Sequence, residues 1–577
     1  MFRPAHRLPY PYLLLFMILL GIILLPATAA PVAAAPELGG TLPLDVTVSD
    51  LLSSPGQSQL YAVDVAGADR LVIRLLVISG NLDPALALRD PGGNLLCDGA
   101  SLGAFVELNC PVAGAGSYTV VVSDGQNDGT GNFNLYAQAV QQPAGAVALV
   151  LDTTATTALS PDGEMDAFTL TGSSGQTLLI RLLALSGDLD PAFRLFRPDG
   201  TELCSGSTLG SFVDTLCYLD TDGPFVLFVA DGNGAGTGSY NLYAQNLQAP
   251  ANPVTLALDE TESAQLAPDG EADSFQFSGQ SGERLLLRLL ATSGDLDPAF
   301  RLFRPDGTEL CSGSTLGSFV ETLCNLDTTG QYHLIVADGN GAGTGSYNLY
   351  LQALIDPANG LPLNLDVPEA ASLSPDGEAD AFQFDGQAGA WLLFRLLATS
   401  GDLDPQLRVY RPDGTQLCSG STLGSFVESH CLLDSSGSHT VIVADGNGAG
   451  TGSYNLYLQN LLAPANANNL LVDQSINSTI SPAGEADAYT ITAGVGARVM
   501  FRLLATSGNL DPQLRVYRPD GTELCSGGTL GSFVEIFCLV DSAGSHTVLV
   551  ADGNGGGSGS YNLYQQNLLA PAGAAVS

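Results

Sequence analysis

The stretch Cys204-Ser205-Gly206-Ser207-Thr208-Leu209-Gly210-Ser211-Phe212-Val213-Asp214-Thr215-Leu216-Cys217 has a counterpart in four other places along the chain. Its first cysteine recurs as Cys97, Cys311, Cys418 and Cys525, at intervals of 107 residues, and its second as Cys110, Cys324, Cys431 and Cys538, always 13 residues further on. A Pro-Ala step keeps the same interval at Pro143, Pro250, Pro357, Pro464 and Pro571, and Pro36 opens the first copy. Solenoid coils run about 20 to 50 residues, whereas a unit of about 100 residues is large enough to hold its own core. The reading is therefore five units, 36–142, 143–249, 250–356, 357–463 and 464–570.

Within the quoted stretch, Gly210 marks a turn. A hairpin folded there sets Cys204 opposite Cys217, which predicts one cross-strand disulfide per unit and five in all. Closing a loop of this size is worth ~3 kcal/mol in the chain-entropy model. A two-cysteine metal site is the alternative, but units 1 and 2 have no histidine to complete it. Paired cysteines suit an exported chain, and the N-terminus agrees. Arg3 and Arg7 precede the apolar run Leu13–Leu25, and Ala27-Thr28-Ala29 offers a cleavage site. Residues 1–30 are thus expected to be a signal peptide, with a retained N-terminal anchor as the alternative. The run is short for a membrane span, and no second one approaches that length, so no membrane insertion is expected after cleavage.

Copy three shows the pattern of one unit. Short apolar segments, among them Ser274–Phe277, Arg284–Ala291, Phe300–Phe303 and Tyr332–Ala337, alternate with Pro-Asp-Gly, Ser-Gly and Gly-Asn-Gly turns roughly every ten residues. Ser346-Tyr347-Asn348-Leu349-Tyr350 alternates as a half-buried strand does. No segment carries a helical period. The expected fold is all-β: five tandem β-sandwich (jelly-roll-like) domains of seven to nine strands after a signal peptide. Proline-bearing linkers such as Gln248-Ala249-Pro250-Ala251-Asn252-Pro253 would make the array a semi-rigid rod.

Four motifs carry a family resemblance. They are Pro268-Asp269-Gly270-Glu271-Ala272-Asp273-Ser274-Phe275 with Ser293-Gly294-Asp295-Leu296-Asp297-Pro298, then Arg304-Pro305-Asp306-Gly307-Thr308, and finally Gly345-Ser346-Tyr347-Asn348-Leu349-Tyr350. With their counterparts in the other copies they resemble the bacterial pre-peptidase C-terminal domain. The resemblance implies a β-sandwich that is an accessory, non-catalytic module of secreted proteases, with relatives in collagenases that bind calcium and collagen. This chain departs from that context in having no protease domain, and the internal disulfide is an addition.

The acids of the early turn are Asp162, Glu164, Asp166 in unit 2, Asp269, Glu271, Asp273 in unit 3, and Asp376, Glu378, Asp380 in unit 4. A second pair follows at Asp188, Asp190; Asp295, Asp297; and Asp402, Asp404. If the intervening strands bring both groups together, their oxygens suit calcium, which takes six to eight; the alternative is a simple polar turn. Unit 5 has Ala483 and Asn509 in place of two of these acids, and unit 1 has Pro55 and Gln57, so sites are expected in units 2 to 4.

Arg74, Arg181, Arg288, Arg395 and Arg502 each interrupt an apolar strand and need a carboxylate partner or a route to water. Asp83, Asp190, Asp297, Asp404 and Asp511 are candidate partners. The Gly-rich loop after Asp231 has no Lys and no following helix, which makes it a connection rather than a phosphate cradle. Asp124, Asp231, Asp338, Asp445 and Asp552 are placed to hold that turn. Tyr136, Tyr243, Tyr350, Tyr457 and Tyr564 alternate outward on the last strand and are candidate contacts for a polymer; covering the domain edge is the alternative.

The chain carries 59 Asp and Glu against 19 Arg, no Lys, and a net charge of −40, which repels nucleic acid. No His recurs in all copies and no catalytic motif appears, so no enzymatic activity is expected. The expected function is a secreted or cell-surface, multivalent binding array with calcium as its cofactor. Its partner would be an extracellular polymer or cell-envelope component, protein or polysaccharide. A structural cell-envelope spacer is the alternative.

Overall fold

A computed structural model describes residues 37–569, so the expected signal peptide lies outside the described residues. Every regular element among them is a strand. In the first repeat these are β1 (Glu37–Thr41), β2 (Val48–Leu52), β3 (Ser58–Val65), β4 (Asp69–Gly80), β5 (Pro84–Arg89), β6 (Leu95–Ala100), β7 (Phe105–Val112), β8 (Gly116–Asp124) and β9 (Gly131–Ala139). They form a five-stranded sheet ordered β1-β3-β8-β5-β6 and a four-stranded sheet ordered β2-β9-β4-β7. Only β1 runs parallel to its neighbour. The same nine strands and the same two sheet orders return in every repeat.

The two cysteines of a repeat do not face each other across a hairpin. Cys204 lies on Glu202–Ser207, the edge of the five-stranded sheet, and Cys217 on Phe212–Tyr218, the edge of the four-stranded sheet. Thr208–Ser211 is therefore a corner that carries the chain from one sheet to the other. The expected pairing forms in all five repeats, Cys97–Cys110 through Cys525–Cys538, but it staples the open edges of two sheets together.

The expectation of five separate, jelly-roll-like β-sandwich domains is corrected by the apolar layers. Each repeat has one layer between its own two sheets, as Leu178, Phe193, Leu227 and Leu242 show in repeat 2. A further layer lies between neighbouring repeats. Val72, Tyr136 and Val140 pack on Met165, Ala167, Phe196 and Phe228, and equivalent layers join repeats 2 to 3, 3 to 4 and 4 to 5. The four-stranded sheet of repeats 1 to 4 is thus covered on both faces. The result is one continuous, solenoid-like stack of sheets in which every repeat leans on its neighbours.

The strand sequences carry the reason. Thr177–Ala184 (TLLIRLLA) is apolar on both faces and is buried almost throughout, the pattern of a strand covered from both sides. Its counterpart at the end of the stack, Arg498–Ala505, has the same character but alternates between buried and exposed positions, because no repeat covers its outer face among the described residues. Tethering adds to this. The turn residue Asp152 accepts a hydrogen bond from Ala251 N, and Asp259 from Ala358 N, so the peptide leading into the next repeat is fixed to the previous one.

The recurrent arginine sits at each of these junctions. Arg74, Arg181, Arg288 and Arg395 are buried. Their partner is not the Asp of the Asp-Pro turn but a carboxylate on the adjacent strand: Glu107, Asp214, Glu321 and Glu428, with Nε–O separations of 3.0 to 3.6 Å. The outer guanidinium nitrogens donate to backbone carbonyls of the following repeat. Arg74 reaches Glu164 O at 2.7 Å and Asp231 O at 2.8 Å, and Arg395 reaches Glu485 O at 2.9 Å and Asp552 O at 2.6 Å. A ring supports each one, with Phe105, Phe212, Phe319 and Phe426 lying 4.9 to 5.0 Å from the guanidinium carbon. Removing one partner of such a buried group leaves the others unpaired, at about 3–5 kcal/mol. Arg395→Ala is accordingly expected to destabilise the repeat 4–5 junction by that order. The sole tryptophan, Trp391, packs against that junction, so its fluorescence during urea unfolding measures the loss. Arg502→Ala, at a half-exposed site, is expected to change stability by less than about 1 kcal/mol.

Candidate functional site

Most of the acids proposed as metal ligands accept hydrogen bonds from other groups of the chain. Asp166, Asp273 and Asp380 accept the hydroxyls of Tyr240, Tyr347 and Tyr454 at 2.5 to 2.6 Å. Glu164 and Glu378 accept Ser160 N and Ser374 N within their own turns. Asp162, Asp269 and Asp376 present their backbone carbonyls to Asn134, Asn241 and Asn348 of the preceding repeat. The backbone carbonyl of Glu271 goes likewise to Arg181. The second pair braces the Gly-rich loop instead: Asp188, Asp295 and Asp402 accept Thr237 N, Thr344 N and Thr451 N, while Asp190, Asp297 and Asp404 accept the amides of Asn233, Asn340 and Asn447. Among the described residues no three Asp, Glu, His or Cys side chains converge in a way that would hold an ion.

The Gly-rich loop itself is a connection held by its leading aspartate. Buried Asp231 accepts Asp190 N, Asn233 N and Ala235 N, as the sequence reading anticipated. The tyrosine contact is corrected. Tyr136, Tyr243, Tyr350 and Tyr457 do lie on the outer face of their sheet, but the next repeat covers that face and buries them. Their hydroxyls donate to Met165 O, Ala272 O, Ala379 O and Ala486 O across the junction. Only Tyr564, which no further repeat covers among the described residues, stays half-buried and bonds Asp473 of its own repeat.

One recurrent surface feature escaped the sequence reading. Leu102, Leu209, Leu316, Leu423 and Leu530 stand at the corner where the chain crosses between sheets, and each is between 81% and 91% exposed. A single exposed leucine is ordinary. Five at one structural position, on a corner held by a disulfide, are a regular array. The signal in the sequence was an apolar residue kept inside every Cys-to-Cys segment beside a Gly, in positions 102–103, 209–210, 316–317, 423–424 and 530–531.

Clefts adjoin two of these corners. Between repeats 2 and 3 a cleft of about 710 Å³ is lined by Phe212, Asp214, Arg301, Asn340 and the corner residues Thr315 and Leu316. In repeat 4 a groove of about 360 Å³ runs between Leu423 and the turn that carries Asp402 and Asp404. The chemistry on offer is an apolar tip beside carboxylates and amides. The histidines are used internally: His333, His439 and His546 are buried, and His430 contacts Tyr517.

No family model matches this chain, and no curated protein does. Among solved structures, it is similar over 18% of its length to 97% of the pre-peptidase C-terminal domain of the collagenase from Bacillus anthracis, at 23% identity and a TM-score of 0.16. It is also similar to a glycoside hydrolase family 32 protein from Bifidobacterium adolescentis, at 10% identity over 89% of this chain and 100% of that one, with a TM-score of 0.16. An insecticidal delta-endotoxin from Bacillus thuringiensis shares 8% identity over 50% and 52% of the two chains, at a TM-score of 0.13. Five disulfides suit an oxidising environment outside the cell, and no helix among the described residues is long and apolar enough to cross a membrane.

Two measurements follow from the placement of the acids. Melting of the chain in millimolar calcium and in chelator tests the calcium expectation: a ligand held only by the folded state raises the melting temperature, and equal values rule it out. Burial pushes Glu164, Glu271, Glu378 and Glu485 up to about 7 from an ordinary value of 4.5. The folded chain therefore binds these protons more tightly than the unfolded chain does. Their contribution is whole below pH ~4.5 and is lost as pH rises through about 7. Thermal unfolding from pH 4.5 to 8 is expected to show stability falling across that interval, with Glu378→Gln flattening the slope.

Proposed function

We propose that this chain is a secreted, non-catalytic array of pre-peptidase C-terminal-like units that binds an extracellular polymer or envelope component at many points. The observation that carries this reading is the exposed leucine repeated at every disulfide-held corner, with a cleft and carboxylates beside Leu316 and Leu423. Each contact alone is small: burying one leucine is worth about 1.5–3 kcal/mol, too little to hold a partner. Five on a stiff stack convert weak contacts into retention, because the later ones form at high effective concentration. Export is supported by the signal-like leader and by the five disulfides. The absence of Lys from the sequence and the internal use of its histidines support the non-catalytic part of the reading.

A second reading, a structural spacer with no specific ligand, draws on a different observation. Most side chains that recur in every copy serve the junctions between repeats. The two separate in a co-sedimentation assay of the full chain with insoluble polysaccharide, fibrillar collagen and isolated cell envelopes. The array reading expects retention on at least one of them. It also expects the loss to steepen with the number of Leu→Ser changes among positions 102, 209, 316, 423 and 530. Equal retention of the parent and the five-fold variant rules out the corners as the contact, and no retention on any surface favours the spacer.

A further inference from the structure

Each junction in the stack is made of two unlike halves. The giving half lies on the four-stranded sheet: in repeat 1 it is Arg74, Phe105, Glu107, Asn134 and Tyr136. The receiving half lies on the five-stranded sheet of the next repeat: in repeat 2 it is Arg194, which pairs with Glu107 at 2.6 Å, the ring of Phe196 and the glycine Gly234. That glycine is required by space, since a Cβ there would stand 2.4 Å from the ring of Phe105.

The giving half is present in all five repeats. Repeat 5 has Arg502, Phe533, Glu535, Asn562 and Tyr564, and Arg502 already stands in its junction posture, 2.9 Å from Glu535 and over the Phe533 ring at 5.3 Å. The receiving half is present only in repeats 2 to 5. Its arginine is Arg194, Arg301, Arg408 or Arg515, its ring Phe196, Phe303, Tyr410 or Tyr517, and its glycine Gly234, Gly341, Gly448 or Gly555. In repeat 1 these positions hold Ala87, Arg89 and Asn127, the last at a φ of 60° where the glycine would be. The start of the stack is therefore closed by a face that has lost the receiving groups, and the far end keeps a complete giving half with nothing upon it among the described residues. That end is also not made polar as a capping repeat would be: Phe537 is 62% and Phe533 45% exposed.

We propose that the outer face of the four-stranded sheet of repeat 5 is a docking site for a five-stranded sheet of the class that repeats 2 to 5 carry, borne by another polypeptide. The warrant is continuity with four junctions of the same composition and charge complementarity. Glu535 lacks the second arginine that Glu107, Asp214, Glu321 and Glu428 each receive from the following repeat, and Arg502 lacks the two carbonyls that its counterparts reach. An unmodified second copy does not supply the receiving half, because its repeat 1 lacks the groups and its other receiving faces are occupied.

The test is to build the receiving half on the full chain with Ala87→Arg, Arg89→Phe and Asn127→Gly, and to follow association by sedimentation velocity. The folded triple variant is expected to form head-to-tail oligomers at micromolar concentration while the parent stays monomeric. Adding Arg502→Ala is expected to weaken association at least about 30-fold, the size of an interface hot spot. If circular dichroism shows the triple variant unfolded, the pair Ala87→Arg and Asn127→Gly is used instead, at half-buried and exposed positions where Gly suits the backbone. A folded variant that remains monomeric, association that Arg502→Ala leaves unchanged, or self-association of the parent through some other face overturns the proposal.

Discussion

Everything in this stack depends on a guanidinium placed between two sheets that belong to different repeats. Taken from water alone, such a group carries a desolvation penalty of several kcal/mol. Here it meets a carboxylate on its own sheet, an aromatic face beside it and backbone carbonyls of the next repeat. The carboxylate in turn receives a second arginine from that next repeat, at 2.6 Å for Arg194 and Glu107 and 2.8 Å for Arg301 and Asp214. None of these partners can leave without stranding the others. Neighbouring repeats are therefore locked in one orientation, and the apolar layer around Tyr136 or Tyr350 adds area to the lock. Stability in such an array is a sum of repeat and interface terms, so the junctions govern stiffness.

Recurrence turned out to have two causes that look alike in sequence. Arg, Tyr and Asn recur because each junction needs them, and the early turn because its backbone carbonyls receive them. The corner leucine recurs without any junction or core that needs it. The first group reads as a surface for partners only as long as each repeat is imagined alone. Once the next repeat is in place, those positions are interior, and the corner leucine is a side chain that faces solvent in every copy.

Much of the fold was legible for definable reasons. Turn residues at regular spacing and the lack of a helical period pointed to strands, and all the described elements are strands. The cysteine pairs were legible because an interval of 13 residues brings two edge positions within bonding reach. The same interval satisfies a hairpin and a corner between sheets, so the sequence could not separate Cys204–Cys217 across one sheet from the inter-sheet staple that forms. The acids of Pro268-Asp269-Gly270-Glu271 were legible as a turn. That Asp273 takes the Tyr347 hydroxyl and that the Glu271 carbonyl serves Arg181 of another repeat were not, because both partners lie far away in the chain.

By itself, the sequence determined the number and length of the repeats, their strand character, the paired cysteines and the acidic charge, since periodicity and composition are local properties. Only the tertiary structure decided that the units form one stack, because that depends on which faces meet. The run Leu178-Leu179-Ile180-Arg181-Leu182-Leu183 is apolar on both sides of the strand, but nothing in it names the second cover. Phe303, Ile335 and the carbonyl of Glu271, about 90 to 155 residues further along, supply it. The same geometry turned outward tyrosines into interior ones and, among the described residues, left the face around Arg502 uncovered.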